Sequence, residues 1–227
     1  MKNIREIIEL LGDTIKHGDK QSGRHVIEFW MKEHPYEDVV VKVLEPFLMN
    51  IGVTWRQGLL SLAQIYTATK LVEETVELMS SGVEKKTLCI KGPIVIGNAE
   101  EDFHSLGRKL VVAFLKANNW AVRDLGNDVL AEDFVDTAIE SGSRVIAVSA
   151  MMYTTAINIQ KIRDMIHRRG LTGQLKLAVG GAVFRLRPQL VGEVGGDGTA
   201  QTAMATPALM ETLWNQAETK RGVNNDW

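Results

Sequence analysis

Pro93-Ile94-Val95-Ile96-Gly97-Asn98-Ala99-Glu100-Glu101-Asp102-Phe103-His104-Ser105-Leu106-Gly107 is the stretch that decides the fold. Its first five residues are a short apolar, β-branched run closed by glycine, the composition of a buried strand. Beyond Ser105 the apolar residues Leu110, Val111, Phe114 and Leu115 recur at helical spacing. The segment therefore reads as strand, polar turn, helix. His104 sits in that turn, two residues after Asp102 and three before Gly107. It is poised to present one ring nitrogen outward while the aspartate accepts a bond from the other, which fixes the tautomer and raises ligand basicity. Gly107 lets a bulky group pass close to the helix start.

Outward from this unit the same alternation continues. Short apolar runs at 93–97, 120–125, 144–149 and 175–179 alternate with amphipathic segments, which predicts a parallel sheet with crossover helices. Asp197-Gly198-Thr199 reads as a short fifth strand, and Pro207 to Trp214 as a final helix. Towards the start of the chain the period changes to that of helices. Ile4, Ile7, Ile8 and Leu11 make one stripe, and Val26, Phe29 and Trp30 a second. Val39, Val43, Leu44, Phe47, Leu48 and Ile51 make a third, and the run Leu59, Leu62, Ile65, Tyr66, Thr69, Val72, Val76, Met79 a long fourth. Glycines 18 and 23, the His34-Pro35 step and the span 52–58 punctuate them, so the reading is a four-helix bundle with short loops. Ser80 to Leu88 is polar and reads as a linker, with Gly82 in a natural hinge, and Lys220 to Trp227 as a polar tail.

Composition narrows the function classes. In 227 residues, a hydrophobic content of 45% and a charged content of 24% are those of an ordinary globular protein. A net charge of −2 gives no reason to expect a nucleic-acid partner, and the basic tract Arg163 to Arg169 reads as a solvated helix end. The single cysteine, Cys89, excludes an internal disulfide and fits a reducing compartment. No apolar stretch approaches the ~20 residues of a membrane span, and Met1 to Glu6 does not read as a signal peptide. The expectation is a cytoplasmic protein with neither membrane nor nucleic acid as partner.

The Asp-x-His-x-x-Gly pattern of Asp102, His104 and Gly107 resembles that of cobalamin-binding domains, and later motifs arrive in the order of that family. Val145-Ile146-Ala147-Val148 runs into Ser149-Ala150-Met151, similar to its Ser-x-Leu element. Leu177-Ala178-Val179 runs into the pair Gly180-Gly181, and Gly195-Gly196-Asp197-Gly198-Thr199 resembles its closing element. Asp124-Leu125-Gly126-Asn127-Asp128-Val129 also looks like the family. The resemblance implies an α/β class: an N-terminal four-helix bundle, then a flavodoxin-like (Rossmann-type) five-stranded parallel sheet with helices on both faces, in the order 2-1-3-4-5. The corresponding domains are a helical cap with linker at 1–88, a cobalamin-binding domain at 89–218 and a tail at 219–227. Ligands of such sheets bind outside the carboxyl ends of the strands, near the switch point. His104 follows strand one and Ser149 ends strand three, so both fall there.

For the cofactor, the resemblance implies base-off, His-on cobalamin, cycling between methylcobalamin and cob(I)alamin. His104 would be the lower ligand of cobalt and Asp102 would hold its other nitrogen. Thr155 matches the serine that completes a proton relay in cobalamin-dependent methionine synthases. The displaced nucleotide tail would lie in a slot lined by Gly107, Ser149, Gly180, Gly181 and Gly198. Ser105, Leu106, Met151, Tyr153, Thr154 and Thr199 would complete the binding site. Tyr153 departs from the small residue that relatives often carry, and Glu100-Glu101 stands where they more often have a glycine-containing turn.

Pro46 to Thr69 resembles the helical cap of methionine synthase, corrinoid methyl carriers and cobalamin photoreceptors, with Trp55 and Leu62 matching the residues over the upper face. Ile65-Tyr66 replaces the Glu-His pair of the photoreceptors. The implied function is a corrinoid methyl-carrier subunit of a multi-component methyltransferase of O-demethylase, methanol or methylamine type, a shuttle and not a complete enzyme. Its partners would be a methyl-donor methyltransferase, a methyl-acceptor methyltransferase and a reductive activase. The alternatives are a cobalamin-dependent sensor acting through protein partners and a ligand-free interaction domain.

Overall fold

The computed structural model describes residues 3–35, 38–82 and 91–217 and divides into two compact units, 1–84 and 85–227. The linker reading of Ser80 to Leu88 lies largely outside the described residues, except that helix runs on through Gly82. The tail and Cys89 lie outside them altogether.

The first unit is helical. Helix α1 (Ile4–Lys16) starts at a capping box, in which Asn3 Oδ1 accepts from the Glu6 N–H at 2.9 Å and the Glu6 carboxylate from the Asn3 N–H at 3.1 Å. Helix α2 (Lys20–Met31) is capped by Asp19, whose side chain accepts from the Ser22 N–H. Val39–Leu44 forms a π-helical turn that runs directly into α3 (Glu45–Arg56). The Glu45 N–H reaches back to the Val40 carbonyl, and Pro46, which has no N–H, follows it in the first turn of α3. Helix α4 (Leu62–Gly82) completes the unit. Leu11, Ile15, Ile27, Leu44, Phe47 and Leu71 are among its fully buried side chains. The predicted stripes hold in outline, but Phe29, Leu59, Leu62 and Tyr66 are exposed. Phe29 lies two residues from Ile27, which a helix turns to the opposite face.

The second unit is an α/β sheet in the order β2-β1-β3-β4, all parallel: β1 Lys91–Asn98, β2 Trp120–Asp124, β3 Val145–Ser149 and β4 Lys176–Gly180. Helices α5 (Ser105–Ala117), α6 (Ala131–Ser141) and α8 (Ile159–Arg168) are the crossovers, with one-turn α7 (Tyr153–Ala156) ahead of α8. Two short helices, α9 (Ala182–Leu186) and α10 (Leu190–Glu193), follow β4, and α11 (Thr206–Gln216) comes last. Alternate strand residues serve opposite layers. Val95, Ile146 and Leu177 pack with Phe134 of α6 and Ile162 of α8, whereas Ile94, Val145 and Ala178 pack with Leu115 of α5 and Leu213 of α11. Burial on both faces is why the strands read as unbroken apolar runs.

The expected fifth strand is reduced to one bridge, Ala178 to Gly198. Asp197, Gly198 and Thr199 offer no apolar side chain for a ladder to bury. Asp197 secures the edge instead: its N–H donates to the Leu177 carbonyl at 2.7 Å, and its carboxylate accepts from the Leu177 N–H at 2.6 Å. Arg163 ion-pairs with Asp197 and is only 16% exposed, so the tract 163–169 begins at a half-buried clamp rather than a fully solvated end.

Candidate functional site

Strand register sets the site. Asn98 pairs with Ser149, and Ser149 with Gly180, so three strand ends lie side by side along the carboxyl edge of the sheet. The chain leaves β1 through Ala99, Glu100 and Glu101 and delivers Asp102 behind the start of α5. Glu101 adopts a left-handed conformation (φ 65°), its N–H donating to Asp128 Oδ1 at 2.8 Å. The Asp102 carbonyl accepts from the Asp128 N–H at 3.1 Å. The loop after β2 thus buttresses the turn from outside.

Asp102 is 0% exposed and gathers five donors. Its Oδ1 accepts from the His104 N–H at 2.9 Å, lies 3.2 Å from His104 Nδ1 and accepts from Asn98 Nδ2 at 3.3 Å. Its Oδ2 accepts from the Met151 N–H and the Thr155 hydroxyl, both at 2.8 Å. Burial pushes the carboxyl up, but the bonds from Met151, His104 and Thr155, together with the His104 charge, outweigh it and hold the group below its ordinary range. An ionised carboxylate only accepts, so the contact makes His104 Nδ1 the donor. In the neutral ring the lone pair is then on Nε2. His104 occupies the N-cap of α5 without making a capping bond, and its side chain is 47% exposed. The structure therefore brings Asp102, His104 and Thr155 into one hydrogen-bonded chain, across 53 residues of sequence between Asp102 and Thr155.

Around this chain, Ser105, Leu106 and Gly107 form the first turn of α5. A side chain added at Gly107 or at Gly180 would meet nothing within 4 Å, so both glycines open onto free space. The Ser149 side chain is half-buried at the end of β3, and no protein partner for its hydroxyl is found among the described residues. Gly181 differs from its neighbour: its φ is 116°, and a Cβ there would stand 2.0 Å from the Ala150 carbonyl oxygen, so the backbone itself demands glycine. Gly198 faces Leu209 of α11, whose Cδ1 would be 2.9 Å from a Cβ, and so answers to helix packing. Met151, in the loop ahead of α7, and Tyr153 and Thr154, at its start, are exposed, and Thr199 is half-buried after the Gly198 bridge. The Arg187 guanidinium lies 4.9 Å over the Tyr153 ring. In the helical unit, Trp55 (51% exposed) and Leu62 (75%) stand on either side of the α3–α4 connection.

Two residues escape a reading of the sequence. Asn98 is fully buried, and Arg108, inside α5, is only 5% exposed. Arg108 Nη1 donates to Asn127 Oδ1 at 2.6 Å and to Asn98 Oδ1 at 3.3 Å, and its Nε lies 3.0 Å from Asp124 Oδ1. Arg108 lies two residues from both Leu106 and Leu110, which a helix turns to another face, so spacing gave no signal for its burial.

Among the described residues no group of three or more His, Cys, Asp and Glu side chains is arranged to hold a metal ion, and no helix is long and apolar enough to cross a membrane. Residues 92–208 match the B12 binding domain family. Trimethylamine corrinoid protein 1 of Methanosarcina mazei is 33% identical over 186 residues, covering 80% of this chain and 86% of that protein. Dimethylamine corrinoid protein 3 of Methanosarcina acetivorans is 29% identical over 186 residues, with coverages of 80% and 85%. Among solved structures, the monomethylamine corrinoid protein of Methanosarcina barkeri is similar with a TM-score of 0.79 and 26% identity, over 92% of this chain and 100% of that one.

Proposed function

The chain belongs to the B12-binding domain family, and from that premise we propose that it is a corrinoid methyl carrier, binding cobalamin base-off with His104 Nε2 as the lower ligand of cobalt. The observation that carries the reading is the chain Thr155–Asp102–His104 beside two glycines that open onto free space. One exposed imidazole nitrogen is too little to hold a free ion, so the metal it suits is one that brings its other ligands with it, as a corrin does. Bound cobalamin would supply a cobalt centre able to take a methyl group from one partner and give it to another.

The protein's own residues have separate tasks in this reading. Asp102 keeps the His104 ring in the Nδ1–H tautomer, and Thr155 shares the carboxylate's second oxygen, so a proton gained or lost at the pair is felt at the ligand. Gly107 and Gly180 leave room for the nucleotide tail, and the free Ser149 hydroxyl offers a bond to its base. Ser105, Leu106, Met151, Tyr153, Thr154, Gly181, Gly198 and Thr199 line or shape the same edge. Trp55 and Leu62, apolar and exposed, suit a cover for the upper face that excludes water from a methyl group. The names of the relatives point to methylamines as the first donors to try. A donor methyltransferase, an acceptor methyltransferase and a reductive activase complete the proposed system.

Mixing the protein with hydroxocobalamin and recording absorption, then the electron paramagnetic resonance spectrum after one-electron reduction, tests the ligation directly. Stoichiometric binding with nitrogen coupling from one axial ligand is expected. In His104→Ala that coupling should vanish while binding through the tail persists. A nitrogen-ligated spectrum that survives His104→Ala sinks the assignment.

A further inference from the structure

We propose that Arg108 and Asn98 are positioning residues that hold the Asp102 carboxylate from behind and so keep His104 in the tautomer that turns Nε2 outward. The inference rests on His104 being the cobalt ligand, and it adds two side chains that the ligand, its aspartate and its threonine do not include.

The amide of Asn98 lies between a cation and an anion. Arg108 is a donor only, so the atom of Asn98 facing it is the oxygen, and the amide nitrogen is thereby turned to Asp102 Oδ1. No ambiguity of the amide survives this pairing. The result is a directed series: Arg108 Nη1 to Asn98 Oδ1, Asn98 Nδ2 to Asp102 Oδ1, and that same oxygen to His104 Nδ1. Asn98 is wholly buried and its backbone is pinned on both sides, its N–H donating to the Gly126 carbonyl and its carbonyl accepting from the Val129 N–H. The side chain therefore cannot drift while its partners stay.

Arg108 grips a second element. Asn127 and Asp124 belong to the end of β2 and the loop after it, whose Asp128 supports the Glu101–Asp102 turn. One guanidinium thus ties together three segments that converge on Asp102. Without it, Asn98 would keep a buried carbonyl with no donor, at a cost that is relieved when the amide leaves its place. Oδ1 of Asp102 would lose the side-chain donor behind it and keep only the His104 N–H beside the ring contact, so the acceptor that selects the proton position of the His104 ring would be less firmly directed.

The test uses the protein without cofactor, so that it stays separate from cobalamin binding. Long-range proton–nitrogen correlation spectra of ¹⁵N-labelled protein, at a pH where imidazoles are neutral, report the tautomer of each of the five histidines. His104 is assigned by the signal that disappears in His104→Gln. The wild type should show His104 as the Nδ1–H form alone. Arg108→Met should convert this to a mixture containing the Nε2–H form, and Arg108→Lys, which keeps a donor, should preserve the wild-type signal. Asn98→Ala removes the donor to Asp102 directly and should give the same mixture, which covers the case of an unstable Arg108→Met. A single unchanged Nδ1–H form in folded Arg108→Met or Asn98→Ala overturns the proposal. Failure to bind cobalamin would instead leave these signals readable and strike only the ligand assignment.

Discussion

Each unit holds one cluster that departs from the usual rule of burial, and the two clusters are of opposite kinds. The sheet unit hides polar groups: Asn98, Asp102, Arg108 and Thr155 are all buried, and all lie within one connected set of hydrogen bonds at the carboxyl edge. The helical unit shows apolar ones: Met49, Val53, Trp55, Leu59, Leu62 and Tyr66 are all exposed, clustered in sequence around the end of α3 and the start of α4. A buried polar group is tolerated only with partners, and a gathering of exposed large apolar side chains marks a surface that meets something. The first arrangement gives a fixed direction to one atom. The second gives a surface without direction, suited to excluding water.

The comparison breaks most visibly at the aromatic residues of α3. Phe47→Ala removes a fully buried ring and should cost about 3–5 kcal/mol of stability. Trp55→Ala, eight residues on, should change stability by no more than about 0.5 kcal/mol. Urea unfolding of the full chain measures both, and a Trp55→Ala loss comparable with that of Phe47→Ala would make Trp55 core after all. If Trp55 shields the methyl group, the methyl-loaded Trp55→Ala protein should also photolyse faster than wild type.

A sharper contrast separates two adjacent glycines. Gly181→Ala should destabilise the protein by about 1–3 kcal/mol, because its backbone is left-handed and the Ala150 carbonyl fills the place of the new methyl. Gly180→Ala should leave the unliganded fold intact or stabilise it by up to about 1 kcal/mol, since nothing stands in its way. Cobalamin affinity of the Gly180→Ala protein should nevertheless fall by about 10-fold, a loss of ~1.4 kcal/mol. Unchanged affinity by spectroscopic titration would mean that the tail does not run past Gly180.

A smaller effect than that at Gly181, and of opposite sign, is expected at Glu101. Its left-handed backbone is strained for any residue with a Cβ, and its link to Asp128 uses the backbone N–H. Glu101→Gly should therefore raise stability by about 0.5–1 kcal/mol, read as a higher urea midpoint. An unchanged or lowered midpoint would show that the Glu101 side chain matters more than its backbone.

These contrasts also mark what was legible in the sequence. Strands and crossovers were, because burial on both faces writes continuous apolar runs such as Ile94-Val95-Ile96 between polar turns. Asp102 and His104 were, because they share one short turn, and Thr155 only through the resemblance, since nothing local joins it to Asp102. Asn98 and Arg108 were not. Whether a polar residue is buried depends on partners from other loops, here Asn127 and Asp124, which sequence spacing does not bring together. The fifth strand shrank to a bridge for the opposite reason: Asp197-Gly198-Thr199 carried a motif but no apolar residues to drive pairing. Nor does helical spacing tell a core stripe from an exposed one, which is why Leu62 and Tyr66 looked like Val72 and Val76.

The π turn at Val39–Leu44 has a consequence for aim. Each residue advances an α-helix by about 100°, and a turn closed one residue later fits one more residue into nearly the same revolution. Beyond it Phe47 and Ile51 are buried and Trp55 is exposed. Deleting a single valine there would let the turn close as ordinary α-helix and leave everything beyond it at nearly the same azimuth. The widened turn thus absorbs one residue inside a buried helix, and the same deletion made in the regular helix of α3 ahead of Trp55 would instead swing the tryptophan by about 100°.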